Sequence, residues 1–284
     1  MILKHARGEL ELDHCVVMGI LNRTPDSFYD GGRMDLSASI DHAQKMIEEG
    51  AEIIDIGGVK AGPGEDVSVE EESKRLIPLV EELSDAGAVL SVETAHPSVA
   101  RAALEAGAAI VNDVSGLADP GLVDACAEAG AAIVLMHNGG QIRGRPRSPG
   151  YEDIVAAVLA EWTRLAAIAK ERGLRDQQII VDAGLDFGKN TFHSLELMRR
   201  LDEQTAAGWP LLVAPSRKDV VGETLGLPLE ERLEGSLALV ALSVLGGASI
   251  VRVHDVQAAS RTVRMVEGVM GKRKPEAPIR GLWD

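Results

Sequence analysis

Two residues near the end of the chain pose the first chemical question. Arg252 and His254 stand two apart in the apolar run Ile250-Val251-Arg252-Val253-His254. In an extended strand, residues two apart project to one face. With Lys218 they form a set able to hold a phosphate or pyrophosphate through charge-assisted hydrogen bonds. A second set is acidic and amidic. Glu93, Asn112 and Asp182 each lie at the end of a short apolar run. Together they would face a small planar molecule carrying several N–H groups. A carboxylate accepting two parallel N–H bonds holds an amino-pyrimidinone edge firmly, and such a site rejects analogues lacking those donors. The third candidate is Asn22, where the run Val16 to Leu21 turns abruptly polar. Its single neutral oxygen suits Mg²⁺, an ion that keeps most of its waters and bridges to substrate phosphates.

Other chemistries leave no trace in the sequence. No His/Cys cluster has zinc spacing, and no G-x-G-x-x-G follows a strand. No Ser/His/Asp arrangement can be inferred from spacing.

These residues need elements to position them. Apolar runs of strand length fall at 15–21, 52–58, 89–94, 109–113, 132–137, 178–183, 211–215 and 249–254. Helical spacing falls between them, near 37–49, 69–86, 97–107, 120–130, 151–173, 193–207, 229–246 and 256–270. Local signals support the helices. Asp119-Pro120 is a start signal and Gly130 a stop. Ser98, Val99, Ala102, Ala103 and Ala106 make one small face after Pro97. Ile154, Val155, Val158, Leu159, Trp162, Leu165 and Ile168 recur at three and four before Gly173.

Strands alternating with helices imply parallel pairing and right-handed crossovers. Roughly eight such units make an α/β chain of the (β/α)₈ type, a TIM barrel. A doubly wound sheet is the main competitor, but such sheets seldom carry eight regular units. With no Pro/Gly/Ser-rich linker between 15 and 270, residues 1–284 are expected to form a single domain, its barrel core about 15–270. In a barrel, functional residues sit at the C-terminal strand ends. The tips here are polar almost throughout: Asn22, Gly57-Gly58 after Asp55, Glu93-Thr94, Asn112-Asp113, His137-Asn138, Asp182, Ser216-Arg217-Lys218 and Arg252-Val253-His254-Asp255.

Composition narrows the partners. The 284 residues are 45% hydrophobic and 26% charged, ample for a sizeable core and unlike a disordered chain. A net charge of −15 argues against a nucleic-acid partner. Aromatics at 3% argue against base-stacking platforms. Cys15 and Cys126 fit buried thiols in a reducing compartment. No positive–apolar–small pattern opens the chain and no run is long enough to span a bilayer, so the expectation is a cytoplasmic protein without a membrane partner. The basic tail Lys272-Arg273-Lys274-Pro275 fits a solvated end.

The motifs resemble those of the dihydropteroate synthases of folate biosynthesis, over about 15–270. Met18-Gly19-Ile20-Leu21-Asn22 with Thr24-Pro25-Asp26-Ser27-Phe28 is similar to that family's first signature. Asn112-Asp113-Val114-Ser115-Gly116, Phe187-Gly188-Lys189, Ser216-Arg217-Lys218 and Arg252-Val253-His254-Asp255 look like its later ones, in the same order. The resemblance implies a reaction: 6-hydroxymethyl-7,8-dihydropterin pyrophosphate condenses with p-aminobenzoate to give 7,8-dihydropteroate and pyrophosphate. It also implies roles. Asn22 would contact Mg²⁺, and Arg252 and His254 would hold the pyrophosphate. Asn112, Asp182 and Lys218 would hold the pterin, with Glu93 near its ring, and Ser216 would lie near the p-aminobenzoate carboxylate. Asn22, Lys218, Arg252 and His254 make up the catalytic set. A homodimer through outer helices is also implied, with the apolar faces of 229–246 and 256–270 able to serve.

Some positions depart from the family's pattern. Where the family reads G-G-E-S-T-R-P-G after its second strand, this chain has Gly57-Gly58-Val59-Lys60-Ala61-Gly62-Pro63-Gly64. Ala61 and Gly62 thus replace a threonine and an arginine of a loop that closes over pyrophosphate. Losing one charge-assisted contact to a transition-state oxyanion costs a few kcal/mol, or about 10²–10³ in rate. Glu93 stands where Asp is usual, and Asp186 and Ala214-Pro215 where glycines are usual; Arg23 and Tyr29 enlarge the first loop. These changes mark a divergent branch. They set a second reading beside the synthase: a paralogue that binds a pterin-like phosphorylated ligand without synthase activity. A related barrel enzyme such as a methyltetrahydrofolate–corrinoid methyltransferase fits less well, because a methyl donor needs no cationic pair on the last strand.

Overall fold

In the computed structural model, which describes residues 1–23, 36–59, 67–140, 150–278 and 280, the eight apolar runs become eight parallel strands closed into a barrel. They are β3 (Val16–Asn22), β4 (Ile53–Gly57), β5 (Val89–Glu93), β6 (Ile110–Asp113), β7 (Ala132–Met136), β8 (Ile179–Asp182), β9 (Leu211–Val213) and β10 (Ile250–Val253). Each pairs with the next, and β10 closes on β3 with Arg252 opposite Met18. The connecting helices are α1 (Leu36–Glu48), α2 (Val69–Leu83), α3 (Pro97–Ala106), α4 (Gly121–Ala129), α5 (Ile154–Glu171), α6 (Thr191–Arg199), α7 (Leu201–Thr205), α8 (Asp219–Leu225), α9 (Leu233–Leu245) and α10 (Val256–Val269).

Strand parity separates two cores. Val17, Leu21, Ile54, Ile56, Val92, Val111, Ile133, Val181, Val213 and Val251 face outward into the layer between barrel and helices. Val16, Met18, Ile53, Ile110, Val134, Ile180, Leu212 and Ile250 fill the barrel interior. Counting on by two from Met18, Ile53, Ile110, Ile180, Ile250 and the half-buried Val89 reaches Asn22, Asp55, Asn112, Asp182, Arg252, Glu93 and, past the strand end, His254. The period-two rule that packs the floor with Val, Ile and Leu therefore aims every one of these polar groups at the same mouth. Gly19 shows how tight the outer layer is: a Cβ there would stand 2.8 Å from the Met46 sulfur.

Several elements differ from the sequence expectation. An antiparallel hairpin, β1 (Ile2–His5) and β2 (Gly8–Glu11), precedes the barrel. Leu3 and Leu12 join the interior core and plug the N-terminal end of the barrel, a role four-residue strands do not advertise. The segment 193–207 splits into α6 and α7 at Arg200, whose backbone leaves the helical region and whose guanidinium is bound by Asp153 and Glu203. Helix α8 was not anticipated, and 229–246 opens with a 3₁₀ turn before α9. On α3 the buried face is Val99, Ala100, Ala103 and Leu104; Ser98, assigned to that face, is exposed. Leu159 and Ile168 flank the buried stripe of α5, which Ala166 and Ala169 complete. Asp153 caps α5 by accepting from the Val155 and Ala156 amides at 2.9 and 3.0 Å. Among the described residues no helix is long and apolar enough to cross a membrane.

Candidate active site

The centre of the mouth is a residue that the motif reading passed over. Asp55 is fully buried among apolar neighbours, a position tolerable only with its oxygens satisfied. Ser91 Oγ donates to its Oδ1 at 2.6 Å. Asn112 Nδ2 and Arg252 Nε donate to its Oδ2 at 2.9 and 2.6 Å. Arg252 Nη2 donates to Glu93 Oε2, also at 2.6 Å. Four strands are thereby tied together below the rim. Burial works against the Arg252 charge, but Asp55 and Glu93 more than reverse it and raise its pKa. Burial pushes the Glu93 carboxyl up to about 7, with Arg252 opposing. Asp55 and Ser91 could have been found by parity: each is a polar residue at an inward position of an apolar run, Ile54-Asp55-Ile56 and Leu90-Ser91-Val92.

The remaining predicted residues form two neighbouring groups. Asn112 commits its amide nitrogen to Asp55, which leaves Oδ1 as its acceptor toward a ligand. Asp182 accepts from the Gly184 amide at 2.7 Å, while its carbonyl takes hydrogen bonds from His137 N at 2.9 Å and Trp162 Nε1 at 3.0 Å. Helix α5 thus fixes the tip of β8 through one indole. Lys218 reaches over the Phe187 ring, its Nζ 5.1 Å from the centroid. Burial lowers its pKa, and Asp182 and Asp186 oppose that.

Above them, Ser216 Oγ lies 3.2 Å from both the amide and Nδ1 of His254. Desolvation lowers the His254 pKa to about 4, reinforced by Arg252, Arg217 and Lys218. The residue is exposed, so solvent blunts the first effect, and Asp255 opposes it, but the three cations act in the same direction as burial. Arg217 has φ +55°, and this left-handed turn sends its fork to Asp255, with Nε and Nη2 each 2.8 Å from a carboxylate oxygen. Lys218, one residue on, is left facing the mouth.

Asn22 closes the ring of tips. Its Oδ1 would lie 3.3 Å from a Cβ on Gly57, so the glycine makes the space the amide occupies. No cluster of three or more His, Cys, Asp or Glu side chains suited to a metal occurs among the described residues.

The departures resolve unequally. Asp186 has φ +69°, a region that favours glycine. Its carboxylate does not join a pterin pocket but caps α8, accepting from the Asp219 and Val220 amides at 2.6 and 3.2 Å and from Ser194 Oγ at 3.1 Å. The Ala214 methyl is absorbed into the interior core. Arg23 turns away from the mouth and donates to the Arg75 carbonyl at 2.6 Å, while Arg75 donates to the Gly58 carbonyl at 2.9 Å. Tyr29 and the stretch Lys60-Ala61-Gly62-Pro63-Gly64 lie outside the described residues. Lys189, prominent in its motif, is a buried brace. Its ammonium donates to the carbonyls of His137, Gly184 and Phe187 at 2.9, 3.0 and 2.8 Å. Burial lowers its pKa to about 7.

Comparison with known proteins agrees with this geometry. A family model described as pterin binding enzyme matches residues 18–254. A Mycobacterium tuberculosis (strain ATCC 25618 / H37Rv) protein named inactive dihydropteroate synthase 2 is 45% identical over 278 residues, covering 95% of this chain and 87% of that one. The Escherichia coli (strain K12) dihydropteroate synthase is 41% identical over 268 residues, covering 93% and 95%. The Yersinia pestis dihydropteroate synthase, solved as a sulfonamide drug complex, superposes with a TM-score of 0.90 at 37% identity, covering 96% of this chain and 100% of that one. With its pterin-binding motifs placed on one closed barrel mouth, the chain belongs to the dihydropteroate synthase family of pterin-binding enzymes.

Proposed function

We propose that this chain is a transferase that condenses 6-hydroxymethyl-7,8-dihydropterin pyrophosphate with p-aminobenzoate, giving 7,8-dihydropteroate and pyrophosphate. The observation carrying the reading is that Asn112, Asp182 and Lys218 face one mouth beneath the Ser216–His254 pair. Asn112 Oδ1 and the Asp182 carboxylate accept from the N–H groups of the pterin, and Lys218 donates to its carbonyl edge. The bond from the exocyclic carbon to the pyrophosphate oxygen breaks, and the aniline nitrogen attacks that carbon and sheds a proton. Arg252 and His254 lie on the side where the leaving charge develops; anion binding there would raise the His254 pKa. Asn22 would hold Mg²⁺, which supplies charge neutralisation at the pyrophosphate. Ser216 Oγ would donate to the p-aminobenzoate carboxylate. Relatives are consistent with these ligands: the Xanthomonas albilineans enzyme was solved with 4-aminobenzoic acid and with 7,8-dihydropteroate. A coupled assay of both substrates with Mg²⁺ tests the reading, and absence of dihydropteroate would sink it.

A second reading has its own observation. Arg252 is engaged by two carboxylates, and burial and nearby cations disfavour the charged form of His254, so the anion side of the site is weak at rest. That favours a paralogue binding a pterin-like ligand without condensing it, as the name of the mycobacterial relative also suggests. Calorimetry separates the two: pterin binding without p-aminobenzoate binding selects the paralogue. We also propose a homodimer through α9 and α10, where Leu242, Leu245, Met265 and Val269 are 49, 55, 67 and 73% exposed. Light scattering at the monomer mass would refute it.

A further inference from the structure

The clamp on Arg252 bears on which ligand the site selects, given the reading that this mouth binds a pterin. Arg252 comes from β10, and its fork spans the barrel interior to Asp55 on β4 and Glu93 on β5. Asp55 would hold the guanidinium with any residue at 93, because its bond is to Nε. The second bond depends on side-chain length. Shortening Glu93 by one methylene withdraws the carboxylate by about 1.5 Å. The 2.6 Å contact with Nη2 then opens to about 4 Å, beyond hydrogen-bond range. The glutamate here, where the family's pattern has aspartate, thus captures a donor that an aspartate on the same backbone would leave to a ligand.

We propose that Glu93 is a specificity-determining residue: by occupying Arg252 Nη2, its carboxylate weakens the site's hold on the pyrophosphate of a ligand relative to its hold on the pterin ring. A phosphate oxygen approaching Nη2 must first displace Glu93, and then sits beside an unpaired buried carboxylate. An unesterified amino-pyrimidinone ring makes no such demand. Its N–H groups are met by Asp182 and Asn112, and Glu93 stays where it is.

Isothermal titration of Glu93→Asp, Glu93→Gln and the unmodified chain tests this, with inorganic pyrophosphate, 6-hydroxymethylpterin and its pyrophosphate ester as probes. Thermal melting establishes that each variant is folded; Glu93→Gln keeps the length and serves where Glu93→Asp does not fold. The expected result is pyrophosphate bound at least about tenfold more tightly by both variants. The ratio of ester to unesterified pterin affinity should move toward the ester by a similar factor. An unchanged ratio, or unchanged pyrophosphate affinity in both variants, overturns the proposal. If no protein binds either pterin, the functional reading fails, while the inorganic pyrophosphate arm still decides the role of Glu93.

Discussion

Replacing Asp55 by asparagine keeps the shape of the central side chain and removes its charge. Three donors converge on this carboxylate: Ser91 Oγ at 2.6 Å, Asn112 Nδ2 at 2.9 Å and Arg252 Nε at 2.6 Å. The amide oxygen can keep one or two of them. The amide nitrogen can turn to Ser91, whose hydroxyl then accepts. What is lost is the charge opposite Arg252. Breaking a buried ion pair outright costs about 3–5 kcal/mol, but Glu93 still holds the far end of the fork. The expected loss is therefore nearer about 2–3 kcal/mol, the scale of one charge-assisted hydrogen bond. For a chain of this size that is a fall in Tm of roughly 3–5 °C. Calorimetric melting of Asp55→Asn, Arg252→Met and the double variant supplies the measurement. Removing both charges should cost less than the sum, with a coupling of at least about 1.5 kcal/mol. Additive losses, or an Asp55→Asn melt within about 2 °C of the parent, would refute the assignment of Asp55 as the hub.

Three further outcomes follow from other residues. His14 donates to Glu52 at 2.9 Å, and that bond raises its pKa from 6.5 to about 9. Because the folded value is the higher one, the stabilisation is complete below pH 6.5 and fades as pH rises through 9. After solvent screening it is worth about 1 kcal/mol. Denaturant titration of His14→Asn should show a flatter profile over that window. Asp186→Ala should destabilise by about 2 kcal/mol, losing the α8 cap while keeping a left-handed backbone. Asp186→Gly should lose less than half of that by chemical denaturation. Lys189→Met strands three carbonyls and should cost about 3 kcal/mol or more; retention of the parent's denaturation midpoint would contradict its role as a brace.

The barrel was legible because its periodicities are regular. Eight apolar runs alternated with eight helical stretches, and polar tips marked one end. The site residues were legible for the same reason, since Asn22, Glu93, Asn112, Asp182 and Arg252 terminate or interrupt apolar runs. What stayed hidden was partnership. Nothing in spacing says that Asp55, 197 positions from Arg252, is its partner. The N-terminal hairpin escaped because its strands are four residues long, β1 burying two side chains and β2 none. The partners of Asp186 were hidden for a subtler reason: a left-handed backbone turns its carboxylate to the α8 amides. The lowered pKa of His254 comes first from burial and then from Arg252 on its own strand and Arg217 and Lys218 on the loop after β9, an environment that strand parity does not report.

The departures from the family's pattern spare the residues proposed to read the ring, while Asp186 and Ala214 are absorbed into an α8 cap and the interior core. Asn112, Asp182 and Lys218, the residues proposed to read the ring, stand as the pattern has them, and their supports are costly to alter: an indole from α5, a hub aspartate and a buried lysine. Ala61, Gly62 and Glu93 instead bear on the anion. Two remove groups from the loop expected over the pyrophosphate, and the third occupies the guanidinium beneath it. Random drift in a disused site would erode the ring-reading residues as readily, because each is as replaceable by a neutral isostere as Glu93 is by aspartate. Changes that spare the ring-reading residues and bear on the anion fit a site kept for the heterocycle and altered in what it does with the leaving group. On that argument, restoring aspartate at 93 alone should strengthen anion binding while leaving turnover limited by Ala61 and Gly62. Only the triple variant Ala61→Thr, Gly62→Arg, Glu93→Asp should gain rate, by about 10²-fold or more if each restored contact acts on the transition state. Assays of dihydropteroate formation by the single, double and triple variants measure it. A rate unchanged in the triple variant would show that the anion side is not what limits this protein.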